Sequence, residues 1–400
     1  MSYEHLNKIF YKNPSAYEQI YRERFNSPIT KHFDFQIKQF NRKNEFPMFL
    51  CYTEDLVLLI EKIYKKYEDF LRIIKDIPPI MLNQFELSCI IDEVTSSNEI
   101  EGIHSSKREI ADILNGFSES VRFSSIVKKY QALLSNQRFQ FKTSEDIRKI
   151  YDDFAHEEIF KNNPQYKLDG AIFRKESVDI VSGTGKTLHR GMYPESKIIS
   201  TMNFALDVLN NENIPFLVRL PIFHYLFGYI HPFYDGNGRT ARFVTAYFLS
   251  EHFHYLLALR LSLTIKRHRK KYYELFTETD SEINRGDITP FVLGFCEIIA
   301  DTFDGIYSLL NRKMAQLLKY QEKLKSLIPA DELTQKIYQV LLQCSLFFPQ
   351  GVSMEDLMTW TGKSRNTIKA RLKSIPKGDI ITLTIKKKLV YILNFSIFLR

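Results

Sequence analysis

The run His231-Pro232-Phe233-Tyr234-Asp235-Gly236-Asn237-Gly238-Arg239-Thr240-Ala241-Arg242 gathers an imidazole, a carboxylate, two glycines and two arginines into one short stretch. Its flanks decide the fold. Upstream, Pro215 to Ile230 (PFLVRLPIFHYLFGYI) is apolar all round and reads as a buried helix. Downstream, Phe243 to Ser250 (FVTAYFLS) continues as a second apolar helix. Between them, Asp235-Gly236-Asn237-Gly238 are residues that tolerate positive φ and start or end helices. The second helix therefore opens at this loop, with its N–H groups and positive dipole end facing a place where an anion can sit. Arg239 and Arg242 are three apart, so they share a face of the first turn, and their planar forks suit phosphate oxygens. His231, at the opposite lip, can accept a proton from an incoming hydroxyl. Asp235 offers a hard oxygen of the kind Mg²⁺ accepts beside phosphates.

Taken singly, each residue has an ordinary reading. Asp235 or Asn237 can be a helix cap, Gly236 and Gly238 turn residues, and His231 a core histidine with its hydrogen bonds satisfied. Their order favours the joint reading, because every part suits one phosphate site.

The run resembles the signature of the Fic (filamentation induced by cAMP) family, H-x-F-x-[DE]-G-N-G-R-x-x-R, at every fixed position. Fic proteins mostly transfer AMP from ATP to a hydroxyl side chain of a target protein, so the resemblance implies a protein adenylyltransferase. It makes His231 the base that deprotonates the target Ser, Thr or Tyr. Asp235 becomes the ligand of Mg²⁺ (or Mn²⁺) against the α- and β-phosphates. Gly236, Asn237 and Gly238 become an anion-binding nest, and Arg239 and Arg242 hold the β- and γ-phosphates. The Doc branch of the family carries a lysine in place of Gly238 and transfers a phosphoryl group, so Gly238 points to AMP transfer.

A second resemblance lies upstream. Ser97-Asn98-Glu99-Ile100-Glu101-Gly102 is similar to the family's inhibitory motif, [ST]-x-x-x-E-[GN]. It ends a segment, Phe85 to Ile100, with helical apolar spacing at Leu87, Ile90, Ile91 and Val94, and Gly102 reads as the glycine just past a helix end. The resemblance makes Ser97 and Glu101 inhibitory: Glu101 would pair with Arg242 and withdraw it from the γ-phosphate. In some members the same glutamate serves removal of AMP from the target, so a repressed transferase and one that also runs the reverse reaction both stay open.

Ser177 to Val181 and Thr187 to His189 flank a Gly-rich turn, Ser182-Gly183-Thr184-Gly185-Lys186, and predict a β-hairpin. Gly185-Lys186-Thr187 matches the end of a P-loop, but Ile180 stands where the first glycine belongs and no helix follows. The hairpin's place matches the Fic flap, whose edge holds a target peptide by strand addition. Lys266 to Lys271 form a cationic run ahead of Tyr272 and Tyr273. The resemblance puts a tyrosine here beside the adenosine; core aromatics beneath a charged turn are the other reading.

The remaining chain sets the frame. A composition 44% hydrophobic and 26% charged is that of an ordinary globular protein with room for two or three domains. The start lacks a signal-peptide apolar core, and no apolar run of transmembrane length is uninterrupted, which predicts a cytoplasmic protein without membrane contact. Cys51, Cys89, Cys296 and Cys344 show no metal spacing and predict free buried thiols. Leu56 to Ile74 has strong helical periodicity, and Ile306 to Leu327 reads as a long amphipathic helix.

After Pro329, a helix from Leu333 runs toward Pro349-Gln350-Gly351. Ser353 and Asp356 form a capping-box pattern, Thr361-Gly362 a turn, and Ser364 a cap for Arg365 to Ser374. Ile381 to Leu393 follows as alternating strands with lysines at their turn. The whole resembles the winged helix that many Fic proteins carry at this end. Residues 351–400 hold ten Lys and Arg against three Asp and Glu, nearly the whole net charge of +8. Arg365, Asn366, Lys369, Arg371 and Lys373, with Lys387 in the wing, would face double-stranded DNA; contact with a protein or a dimer mate is the other reading.

The expected organisation is mainly α: a helical region ending in the inhibitory helix (1–105), a Fic core with its flap (106–328) and a winged helix (329–400). The competing function is a DNA-binding regulator whose Fic core senses nucleotide. The resemblance also allows a homodimer.

Overall fold

The computed structural model describes residues 3–116, 122–135, 137–155, 159–160, 163–181, 185–328, 331–347, 351–385 and 388–399. The fold is mainly α, with small sheets. Its residues form two compact units, each assembled from separate stretches: Met1–Tyr67, Glu93–Ser105 and Ser120–Phe303 in the first, Glu68–Asp92, Ser106–Glu119 and Asp304–Arg400 in the second.

The first unit is built around helix Phe216–Ile230, in which nearly every side chain is buried, as a helix apolar on all faces requires. It packs between helices Glu195–Asn210 and Asn237–His252. The helix after the motif begins at Asn237, in the loop where the sequence places its opening: Gly236 takes the left-handed conformation (φ 81°) as its N-cap, so the motif's second half is helical. The upstream helix begins earlier than its apolar periodicity suggests. It spans Pro79–Ile100, with proline at the first position, where a missing N–H removes no hydrogen bond. Gly102, at φ 73°, turns the chain away.

The flap hairpin is present as antiparallel strands Asp179–Val181 and Thr187–Arg190; its turn residues Ser182, Gly183 and Thr184 lie outside the described residues. A second hairpin, Thr30–Lys38 with Glu45–Cys51, was not anticipated. Alternating Phe33, Phe35 and Ile37 carry its signal in the sequence. The long amphipathic helix starts at Thr289, not Ile306. Pro290 sits in its first turn and so does not break it.

In the second unit, helix Glu332–Phe347 is followed by strand Val352–Ser353, helix Met354–Thr361, helix Arg365–Ser374, and strands Ile380–Ile385 and Lys388–Leu393. The sheet places Lys388–Leu393 between the other two strands. Ser353 Oγ accepts from Asp356 N at 3.1 Å while Asp356 accepts from Ser353 N at 3.0 Å, completing the capping box. Gly362, at φ 69°, ends the first short helix and Ser364 caps the second. The four cysteines are free and buried. Among the described residues no helix is long and apolar enough to cross a membrane.

Candidate active site

The motif forms part of the wall of a cavity of about 840 Å³ in the first unit, lined by Glu101, His231, Gly238 and Arg242 together with Ile180, Leu188, Tyr229 and Phe276. Local chemistry shapes the wall. Phe233 is fully buried and stacks on Tyr151 with ring centroids 3.6 Å apart. Asn237 folds back on the same residue: its Nδ2 donates to Phe233 O at 2.7 Å and its Oδ1 accepts from Phe233 N at 2.9 Å. The loop is thereby closed on itself, and Asn237 offers an anion its backbone N–H rather than its side chain. Asp235, half-buried at the loop's mouth, accepts from Gly236 N at 2.6 Å.

His231 caps the end of helix Phe216–Ile230 in the left-handed conformation, φ 50° and ψ 63°. Burial pushes its imidazole down to about 4, with the nearby cations His189 and Arg174 adding to the effect; Glu101 and the Gly228 carbonyl oppose it. At neutral pH the ring is therefore uncharged and able to accept a proton.

Arg242 is the most constrained residue of the site. Its Nε donates to Ser97 Oγ at 3.0 Å, its Nη2 to Ser97 O at 2.9 Å and its Nη1 to Glu101 Oε1 at 2.7 Å. The Arg242 side chain is 1% exposed, whereas that of Glu101 is 30% exposed at the cavity's edge. Burial raises the Glu101 carboxyl, but Arg242 together with Arg239 and His231 outweighs it and holds the group below the usual carboxylate range. Ser97 and Glu101, one helical turn apart, thus grip all three nitrogens of one guanidinium. Gly238 makes the contact sterically possible, since a Cβ there would lie 2.0 Å from Glu101 Oε1.

The segment bearing these two residues is held at further points. Glu93, wholly buried two turns before Glu101, accepts from Ser262 N at 2.8 Å and from the Ser262 hydroxyl. Burial pushes its carboxyl up to about 7. Lys266 pairs with Glu99, and Tyr273 donates to Ile100 O at 3.2 Å.

Tyr272 and Tyr273 both line the cavity. Tyr272 is buried, and its hydroxyl meets His224 Nε2 at 2.8 Å, while His224 Nδ1 meets Thr245 Oγ1 at 2.8 Å. Over the cavity, His189 of the flap lies 3.2 Å from Asp280 and donates to Tyr229 O at 2.7 Å. Burial lowers the His189 imidazole, but Asp280 more than compensates, so it sits above its ordinary value.

The structure thus brings Glu101, His231, Asn237, Gly238, Arg242, Tyr272 and Tyr273 to one cavity, with the buried Ser97 holding Arg242 and Asp235, Gly236 and Arg239 on the loop and helix of the same motif. Sequence reasoning passed over Glu93, Arg174, His189, His224 and Asp280. None of them belongs to a recognisable motif, and only the fold gives each its partner.

The C-terminal candidates belong to the second unit. Asn366, Lys369 and Lys373 are exposed on helix Arg365–Ser374. Arg365 pairs with Glu355, and Arg371 with Asp331 at 3.1 Å. Lys386 and Lys387 lie outside the described residues.

Residues 142–249 match the Fic/DOC family. Among solved structures, a Fic family protein from Desulfovibrio desulfuricans G20 superposes with a TM-score of 0.53 at 21% identity, over 86% of this chain and 97% of that one. A Fic domain containing signaling protein from Bacteroides thetaiotaomicron VPI-5482 gives 0.42 at 17% identity, over 64% of this chain and 95% of that one. Fic-1 from C. elegans gives 0.44 at 18%, over 65% and 74%.

Proposed function

We propose that this chain is a protein adenylyltransferase restrained by Glu101, since its residues 142–249 match the Fic/DOC family, whose domains generally transfer a nucleoside monophosphate to proteins. The observation that carries the reading is the convergence on one cavity of a neutral His231, a helix N-terminus at Asn237 and an Arg242 already occupied by Glu101 and Ser97.

The triphosphate of ATP fits where the first turn of helix Asn237–His252 turns its N–H groups outward, with Arg239 and Arg242 as counter-charges. Asp235 would supply an oxygen to Mg²⁺, whose charge would offset that of the phosphates. The nucleoside extends toward Tyr272, Tyr273 and the flap. His231 takes the proton of a target hydroxyl; that oxygen bonds to the α-phosphorus as the bond to the β-phosphate oxygen breaks, and pyrophosphate leaves. The two-stranded flap has open edges, with Val181 and Leu188 exposed, and a target peptide would dock there as an added strand.

With Glu101 on Arg242, that guanidinium is unavailable to the terminal phosphate. Glu101→Gly is expected to raise incorporation of label from α-labelled ATP about tenfold or more, since one charge-assisted contact is worth roughly 1.5–3 kcal/mol. Adding His231→Ala to that variant is expected to return it to background. No rise in the first, or retained transfer in the second, overturns the assignment of Glu101 or of His231 respectively. A second reading, DNA binding through a C-terminal winged helix, is favoured by the exposed Asn366, Lys369 and Lys373 on one short helix.

A further inference from the structure

Arg174 is a charged residue of the first unit to which the chemistry above gives no task. It stands between regular elements just ahead of the flap, and its side chain is fully buried. A buried guanidinium persists only where its donors are satisfied, and here backbone carbonyls satisfy them. Nε and Nη2 both donate to His231 O, at 3.0 and 2.7 Å, and Nη2 reaches Ile230 O at 3.4 Å. Nη1 donates to Glu176 O. The backbone N–H of Arg174 adds Pro232 O at 3.3 Å. Three consecutive carbonyls, from residue 230 to residue 232, are therefore held by one arginine.

Those carbonyls close helix Phe216–Ile230, where the negative end of the helix dipole favours a cation. They also include the carbonyl of His231, whose left-handed backbone costs on the order of 1–2 kcal/mol for a residue with a side chain. Fixing the direction of the carbonyls on both sides of a residue fixes its φ and ψ, and with them the direction of its Cα–Cβ bond. A planar fork can place two N–H groups on one oxygen; a lysine cannot. The space for the fork comes from Gly191, where a Cβ would lie 2.3 Å from Arg174 Nη2 and 3.0 Å from His231 Cβ. Gly191 itself is tied to the flap by its N–H to Val178 O at 2.9 Å.

We propose that Arg174 is a positioning residue that locks His231 into the left-handed conformation from which its ring faces the cavity, with Gly191 leaving the room this requires. The inference rests on the transferase reading, in which His231 must meet the target hydroxyl and the α-phosphorus together. A displacement of about 1 Å at such a centre costs roughly a hundredfold in rate.

The test uses the full chain carrying Glu101→Gly as parent, with Arg174→Lys and Gly191→Ala added separately. Arg174→Lys keeps the charge and loses the fork. Gly191→Ala keeps every donor and only pushes the fork aside, so it decides the matter if Arg174→Lys does not fold. For folded variants the expected result is a kcat for AMP transfer lowered about tenfold or more, with KM for ATP within about twofold of the parent. A kcat within about twofold of the parent, or a loss confined to KM, overturns the proposal. If the parent itself transfers no AMP, the transferase reading falls instead. Arg174 is then judged by crystal structures of the two variants: departure of residue 231 from positive φ supports the positioning role, and an unchanged backbone ends it.

Discussion

The motif loop and helix Arg365–Ser374 are both rich in cations, yet they treat them in opposite ways. In the motif, Arg242 is 1% exposed and each of its nitrogens has a fixed acceptor. On the C-terminal helix, Lys369 and Lys373 stand in solvent, and Arg365 and Arg371 lean on carboxylates of their own unit. A buried cation acts through its geometry, so one substitution is decisive. Exposed cations act through the field they share, so their effects are small, additive and screened by salt.

The sharpest way to break this contrast is at Asn237. Asn237→Ala removes both hydrogen bonds that close the loop on Phe233. In the Glu101→Gly background it is expected to lower AMP transfer roughly a hundredfold, measured by label incorporation, although Asn237 need touch no phosphate with its side chain. Retained activity would mean that the loop's shape does not depend on this closure.

The opposite pole is tested by duplex DNA binding to the full chain across a salt series. If the C-terminal helix meets phosphates, Lys369→Ala is expected to lower the slope of log affinity against log salt by about one. Arg371→Ala, whose guanidinium is engaged by Asp331, is expected to change it less. Equal effects, or no binding at low salt, would remove the DNA reading.

The smallest effect distinguishes a buried carboxyl from an exposed one. Glu93, near 7 when folded, titrates at about 4.3 when unfolded. The penalty for burying its charge is absent below about pH 4, grows between the two values and is complete above about pH 7. Glu93→Gln lacks this penalty, so its melting temperature is expected to fall less than that of the wild type between pH 5 and pH 8, by about 5 °C. Parallel pH profiles would show that burial does not raise the Glu93 carboxyl above its unfolded value.

The sequence made the local devices legible and left the tertiary ones hidden. Helix Phe216–Ile230, the flap strands, the Ser353–Asp356 capping box and the turn at Gly362 all follow from residues a few places apart. Helix starts were uneven. The loop glycines marked the opening of the helix at Asn237, whereas those at Pro79 and Thr289 begin at or beside a proline that reads as a breaker. Residues 231–242 and 97–102 announced themselves as patterns, and the structure puts them in contact across more than a hundred positions of chain. Arg174, His224 and Asp280 carry no pattern at all. Each is defined by a carbonyl or side chain far away in sequence, which composition and periodicity do not encode.

Gly238 ties the contact between Glu101 and Arg242 to the sequence in one further way. A methyl group at this position would fall 2.0 Å from Glu101 Oε1 and 2.9 Å from Arg242 Nη1. The contact is thus recorded twice in the chain, once as a glutamate and once as a missing side chain. Under mutational drift it can fail at either place, and every residue larger than glycine at 238 threatens it. A contact that depends on an absence is easily lost and hard to regain, because only one of the twenty residues restores it.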